Sequence, residues 1–150
     1  MMSEVTCNTA DETYSIGAQI GSELVSGDVV LLYGELGAGK TLLTKGVLNA
    51  LDYDIDEVTS PSFTLVNLYK TAKFDVYHID LWRLDNNNAD AADAVGLSEI
   101  LEKENIVTII EWADRLGEIS LAGNVLRVFI EGDGDEPRHV TIRSERNEKI

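Results

Sequence analysis

Residues 34–41 read GELGAGKT, the G-x-x-x-x-G-K-[ST] spacing of a loop that holds phosphate. Gly34, Gly37 and Gly39 let the backbone turn sharply, so that successive N–H groups can point inward at a polyanion, with Ala38 between them. Lys40 adds a flexible cation near the β- and γ-phosphates of a nucleotide. The Thr41 hydroxyl suits a magnesium ion, and a helix starting here brings the positive end of its dipole. The plainer alternative is a glycine-rich turn between a strand and a helix. Three glycines, the Lys-Thr pair and the flanking patterns agree on the phosphate loop.

A magnesium nucleotide site also needs a carboxylate, usually at the C-terminal end of an apolar strand beside the loop. Asp80, after FDVYHI, and Glu111, after IVTII, both qualify. Each has a plainer reading as an exposed strand-end residue or the start of a turn, but metal chemistry is the favoured reading, and the two together strengthen it. His78 shares a strand face with Asp80 at period two. One histidine near one aspartate is more often a hydrogen-bonded pair than a metal site, and His78 is read as structural. Ser60 and Ser62 flank Pro61 in a hydroxyl-rich segment. Its composition suits a loop closing over a γ-phosphate, but spacing alone slightly favours an ordinary turn. Trp112 by itself reads as a core aromatic.

These residues need an α/β frame. DVVLLY at 28–33 is a buried strand, and KTLLTKGVLNAL at 40–51 has helical apolar spacing. Upstream, Thr9 and Glu12 have capping-box spacing. Ile16, Ile20 and Leu24 then mark one face of a first helix ending near Ser26 and Gly27. Residues 63–68 and 74–79 predict an antiparallel hairpin turning at 70–73. An acidic, asparagine-rich loop at 84–93 precedes a weak helix at 97–103. IVTII at 106–110 is a strand buried on both faces, and 125–130 with 139–143 form a closing hairpin around GDGDEP. The expected fold is a single α/β domain over residues 1–150. It is a P-loop NTPase-like three-layer arrangement, with a mostly parallel central sheet and antiparallel hairpin additions.

Composition narrows the function. A 150-residue chain with 44% hydrophobic content can bury a core without staples. The lone Cys7 has no disulfide partner in the chain and no Cys or His neighbours at zinc-ligand spacing, which excludes a structural zinc. The first residues lack a signal-peptide pattern and the apolar runs are too short to cross a bilayer, so the chain reads as cytoplasmic, with no membrane partner. A net charge of −15, from 27 acidic and 12 basic residues, disfavours direct gripping of nucleic acid. The acidity fits simple solubility and an acidic face for a basic partner equally well. No Asn-Lys-x-Asp element is present to read guanine, so adenine is the expected base. The arginines are dispersed rather than gathered on a kinase-like lid.

GELGAGKT followed by TSPSFTLV (59–66), VYHIDLWRL (76–84) and IEWADRL (110–116) resembles the TsaE family, formerly YjeE. These are small bacterial ATPases required to make threonylcarbamoyladenosine in tRNA. The loop alone is shared by many families; the other three blocks, in family order, make the resemblance specific. The chain departs from the family pattern at Trp82, where tyrosine is more usual, and in the acidic stretch 85–93.

The resemblance implies that residues from Gly37 to Thr41 hold ATP phosphates, that Thr41 and Glu111 ligate Mg2+, and that Asp80 serves hydrolysis or water positioning. It turns the Ser60-Pro61-Ser62 segment into a nucleotide-sensing switch and Trp112 into a site wall. It also brings Arg138, and the segment around Thr9 to Glu12, near the nucleotide. The implied partners are the TsaD and TsaB proteins, which transfer threonylcarbamoyl to adenosine 37 of tRNAs reading codons that begin with A, so that tRNA is met only through the complex. Two alternatives stay open: a nucleotide-gated binding module with incidental hydrolysis, and a small-molecule kinase.

Overall fold

Along the chain the elements are β1 (Met2–Cys7), α1 (Ala10–Glu23), β2 (Val29–Tyr33), α2 (Lys40–Ala50), β3 (Val66–Lys70), β4 (Asp75–Asp80), α3 (Leu97–Leu101), β5 (Ile106–Glu111), β6 (Gly123–Glu131) and β7 (Arg138–Asn147). A turn of 3-10 helix (Ala113–Leu116) follows β5. The computed structural model describes residues 2–35, 37–54, 58, 65–82, 95–116 and 121–147.

One seven-stranded sheet runs in the order β1-β7-β6-β2-β5-β4-β3. Its centre is parallel: β2 lies between β6 and β5, and β5 pairs with β4. The flanks are antiparallel, through β6–β7, β7–β1 and β4–β3. The centre is the part whose sequence is apolar on both faces. Every residue of β5 is buried, and β2 is buried from Val29 through Leu32, as expected of strands covered on both sides.

Alternate residues serve two cores. Val30, Leu32, Val76, Val107 and Ile109 pack toward α1 and α2, with Ile20, Leu43, Val47 and Leu48 above them. Val29, Leu31, Ile79, Ile106 and Ile110 face the other way, under Leu97 and Ile100 of α3 and Leu116 of the 3-10 turn. The result is three layers, with a thick helical layer on one face and a thin one on the other. Each fully buried aliphatic side chain contributes roughly 1.5–3 kcal/mol.

The two long helices touch backbone to backbone. A Cβ on Gly17 would lie 2.0 Å from the Leu43 carbonyl oxygen, and one on Gly46 would lie 2.1 Å from that of Tyr14. The predicted apolar stripe is therefore only part of the α1 face. Ile20 and Leu24 are buried and Ile16 partly so, while Thr13, Gly17 and Gly21 form the close contact.

The capping box is present in modified form. Thr9 Oγ1 accepts the Glu12 N–H at 3.2 Å, and Glu12 Oε2 accepts the N–H of Asn8, one residue before the cap. The helix stops at Glu23, short of the expected Ser26 and Gly27, because Leu24 turns extended to bury its side chain.

Other boundaries shift less. The middle hairpin pairs Val66 with Ile79 and Lys70 with Asp75, and the closing hairpin extends to Gly123–Glu131 and Arg138–Asn147. The weak helix ends at Leu101. The expected strand start at 63–64 and the loop at 84–93 lie outside the described residues. β1 was not expected from sequence: it is an edge strand, exposed along its length except at Cys7, and is paired to β7.

Candidate nucleotide site

The glycine-rich loop leaves the C-terminal end of β2 and enters α2 at Lys40. Gly39 sits before the helix with φ 114°, in the left-handed region, and no side chain caps the helix there. The first helical bond across the junction runs from the Leu43 N–H to the Gly39 carbonyl at 2.9 Å. The amides of Lys40, Thr41 and Leu42 thus precede any intrahelical acceptor, which fits a helix start that takes an anion. Thr41 stands half-buried in this first turn.

Lys40 is 95% buried, at 5% exposure. Its ammonium donates to the carbonyls of Gly34 (2.6 Å) and Glu35 (3.0 Å) and lies 4.3 Å over the Trp112 ring. Burial holds this ammonium below the usual lysine range, while the charges of Glu111, Asp80, Glu35 and Asp114 pull the other way.

Asp80 and Glu111 are register partners at the ends of parallel strands β4 and β5, and both are buried. By the period of two, they point to the same face as Val76, Val107 and Ile109, the face covered by α2. Their charges therefore meet the helix that carries Lys40 and Thr41. Asp80 Oδ1 accepts the Trp82 N–H at 2.8 Å. Glu111 Oε2 accepts a bond from His78 Nε2 at 2.5 Å, and His78 is fully buried. His78 is hydrogen-bonded, as expected of a structural histidine, and the partner is Glu111. Its partner is 33 residues away in sequence, and only the register of β4 against β5 brings the two together.

Trp112 follows Glu111 with φ 57°, a left-handed conformation that few bulky residues adopt and that costs of order 1–3 kcal/mol. This turn lays the indole beside Lys40 and 4.5 Å from the Trp82 ring, with the Arg115 guanidinium over both rings.

Arg138 reaches the loop from outside. It donates to the carbonyls of Ala38 (3.0 Å) and Gly37 (3.2 Å), and to those of Glu136 and Gly134 in the β6–β7 turn. Its guanidinium thus ties the loop to that turn. From the other side, Gly39 is approached by the Thr13 methyl of α1, at 3.5 Å from where a Cβ would stand. A cleft of about 530 Å³ opens beside Gly34, walled by Tyr33, Trp112 and Phe129 and rimmed by Glu35, Asp114 and Asp133. A groove of similar size between α1 and strands β1, β6 and β7 holds none of the candidate site residues.

The structure therefore gathers Gly34, Gly37, Ala38, Gly39, Lys40, Thr41, Asp80, Glu111, Trp112 and Arg138 around one loop. Ser60 and Ser62 lie outside the described residues. Among the described residues, no three His, Cys, Asp or Glu side chains are grouped to hold a metal ion. The Thr41 hydroxyl and the Glu111 carboxylate are oxygen donors of the kind Mg2+ takes, with water and phosphate completing its shell.

A glycine-rich loop on a central parallel strand, with carboxylates ending the two strands beyond it, defines a P-loop fold. A family model described as "Threonylcarbamoyl adenosine biosynthesis protein TsaE" matches residues 7–140, and the chain belongs to that family, which serves the formation of threonylcarbamoyladenosine in tRNA.

Relatives called tRNA threonylcarbamoyladenosine biosynthesis protein TsaE are similar over most of their length. The one from Mycobacterium tuberculosis is 35% identical over 118 residues, covering 75% of this chain and 70% of the relative. The one from Bacillus subtilis is 33% identical over 137 residues, covering 91% and 82%. The crystal structure of Bacillus subtilis YdiB superposes with a TM-score of 0.72 at 30% identity, covering 95% of this chain and 84% of that one.

Proposed function

We propose that the chain is a Mg2+-dependent ATPase subunit that works in the cytoplasm on a TsaD–TsaB complex during threonylcarbamoyl transfer to adenosine 37 of tRNA. The observation that carries this reading is the meeting of Lys40 with two buried carboxylates, Asp80 and Glu111, at the mouth of a glycine loop. A buried lysine held by two loop carbonyls is ready to exchange them for phosphate oxygens, which are stronger acceptors.

In this reading the loop amides and Lys40 hold the ATP phosphates, and Thr41 and Glu111 hold Mg2+. When bound, that ion neutralises charge on the phosphate oxygens. Asp80, fixed by the Trp82 amide, orients the attacking water. Trp112 walls the site against solvent, and Arg138 keeps the loop carbonyls turned outward. The Ser60-Pro61-Ser62 segment senses the nucleotide and passes its state to the partner surface. No helix among the described residues is long and apolar enough to cross a membrane.

Steady-state ATP hydrolysis by the pure chain, alone and with TsaD and TsaB, tests the proposal. Slow turnover that the partners stimulate is expected. Nucleotide-dependent association without stimulation would instead make the chain a gated binding module, and phosphate transfer to a metabolite would make it a kinase.

A further inference from the structure

We infer that His78 is a positioning residue for the metal-binding carboxylate: it clamps Glu111 Oε2 and leaves Oε1 for the cation. This rests on the reading of Glu111 as a Mg2+ ligand. His78 is 0% exposed, and its Nε2 lies 2.5 Å from Glu111 Oε2. Its Nδ1 has no hydrogen-bond partner among the described residues. Glu111 is thus the polar contact that orients the imidazole, which lies across from Asn67 on β3 and Ile109 on β5, with the tilted Tyr69 ring at 6.1 Å.

A buried imidazole–carboxylate pair is a poor device for stability. Desolvating both groups offsets most of their attraction, and an apolar side chain of similar volume would serve the core as well. Val76, Val107 and Ile109 on this face belong to the apolar core, so an apolar residue at 78 would find partners there. A hydrogen bond from imidazole to a metal-binding carboxylate has a different use. It fixes one oxygen so that the other presents a defined lone pair, and the loss of such a supporting contact typically weakens metal affinity 10- to 100-fold.

Glutamine places its amide nitrogen near the position of imidazole Nε2, whereas asparagine falls short of Glu111. The test titrates Mn2+ into each protein loaded with ADP and reads free Mn2+ from its EPR signal, with ADP affinity measured separately in EDTA. His78→Gln should bind Mn2+ nearly as wild type, and His78→Asn about 10- to 100-fold more weakly, with ADP affinity in EDTA unchanged in both. Equal Mn2+ affinity in the Gln and Asn variants, whether both normal or both weakened, overturns the positioning role.

A metal-free readout separates this inference from its premise. The slowly exchanging His78 Nε2–H proton should appear downfield in the apo protein and shift when Glu111→Gln removes the carboxylate. If Glu111→Gln leaves Mn2+ affinity untouched while that proton still reports the bond, the metal reading fails and the metal role of His78 falls with it. An unshifted proton would show instead that the clamp is absent.

Discussion

The groups proposed to carry the chemistry differ in what their loss should do. Glu111→Ala should raise the Mg2+ concentration needed for hydrolysis, whereas Asp80→Ala should slow turnover with nucleotide still bound. A Mg2+ titration of hydrolysis in both variants checks this, and rescue of Asp80→Ala but not of Glu111→Ala by excess Mg2+ would reverse the roles. Lys40 offers a test without nucleotide. Burial lowers its proton affinity, so an NMR titration of lysine ε-carbons should show it deprotonating below the ordinary lysine value. Between the lowered and ordinary values the unfolded chain holds more protons than the folded one, so this group makes stability rise with pH in that window. Asp80→Asn removes a charge that favours the ammonium and should lower the Lys40 value further. Lys40, Asp80 and Glu111 were legible because each follows a motif or ends an apolar strand. His78 was visible only as a neighbour of Asp80, since its bond to Glu111 depends on strand register, which no single segment encodes.

At the scale of elements, two contacts hold the glycine-rich loop in place. The first is the glycine-mediated seat of α2 on α1. Gly46→Ala would drive a methyl into the Tyr14 carbonyl, and should destabilise by about 1–3 kcal/mol or more, read as a Tm several degrees lower in a thermal melt. An unchanged Tm would show that the helices separate at little cost. The second is Arg138, tying the loop to the β6–β7 turn. The apolar runs of β2 and β5 made the sheet centre readable, because strands buried on both faces need unbroken hydrophobicity. β1 leaves no such signal for the opposite reason: MSEVTC is exposed at every position but Cys7 and is ordered by its ladder with β7 rather than by its own pattern. The α1 face was read by its isoleucines, while its tightest contact is made by glycines, which carry no hydrophobic signal.

For the whole molecule, a charge of −15 governs what the chain can approach. Filter binding of the pure protein to tRNA near physiological salt should show weak affinity or none. Submicromolar binding without partners would make it a direct tRNA-recognition subunit. Family and fold were legible because four motif blocks lie in order along the chain, but composition does not say which surface meets a partner, since it counts charges without placing them. In the proposed function the loop and the carboxylates facing it form a magnesium-nucleotide site. Isothermal titration of MgATP into wild type and Lys40→Ala tests this site. Saturable binding to the wild type and a loss of roughly 30-fold or more in the variant are expected; equal affinity in the two proteins would contradict a magnesium-nucleotide site.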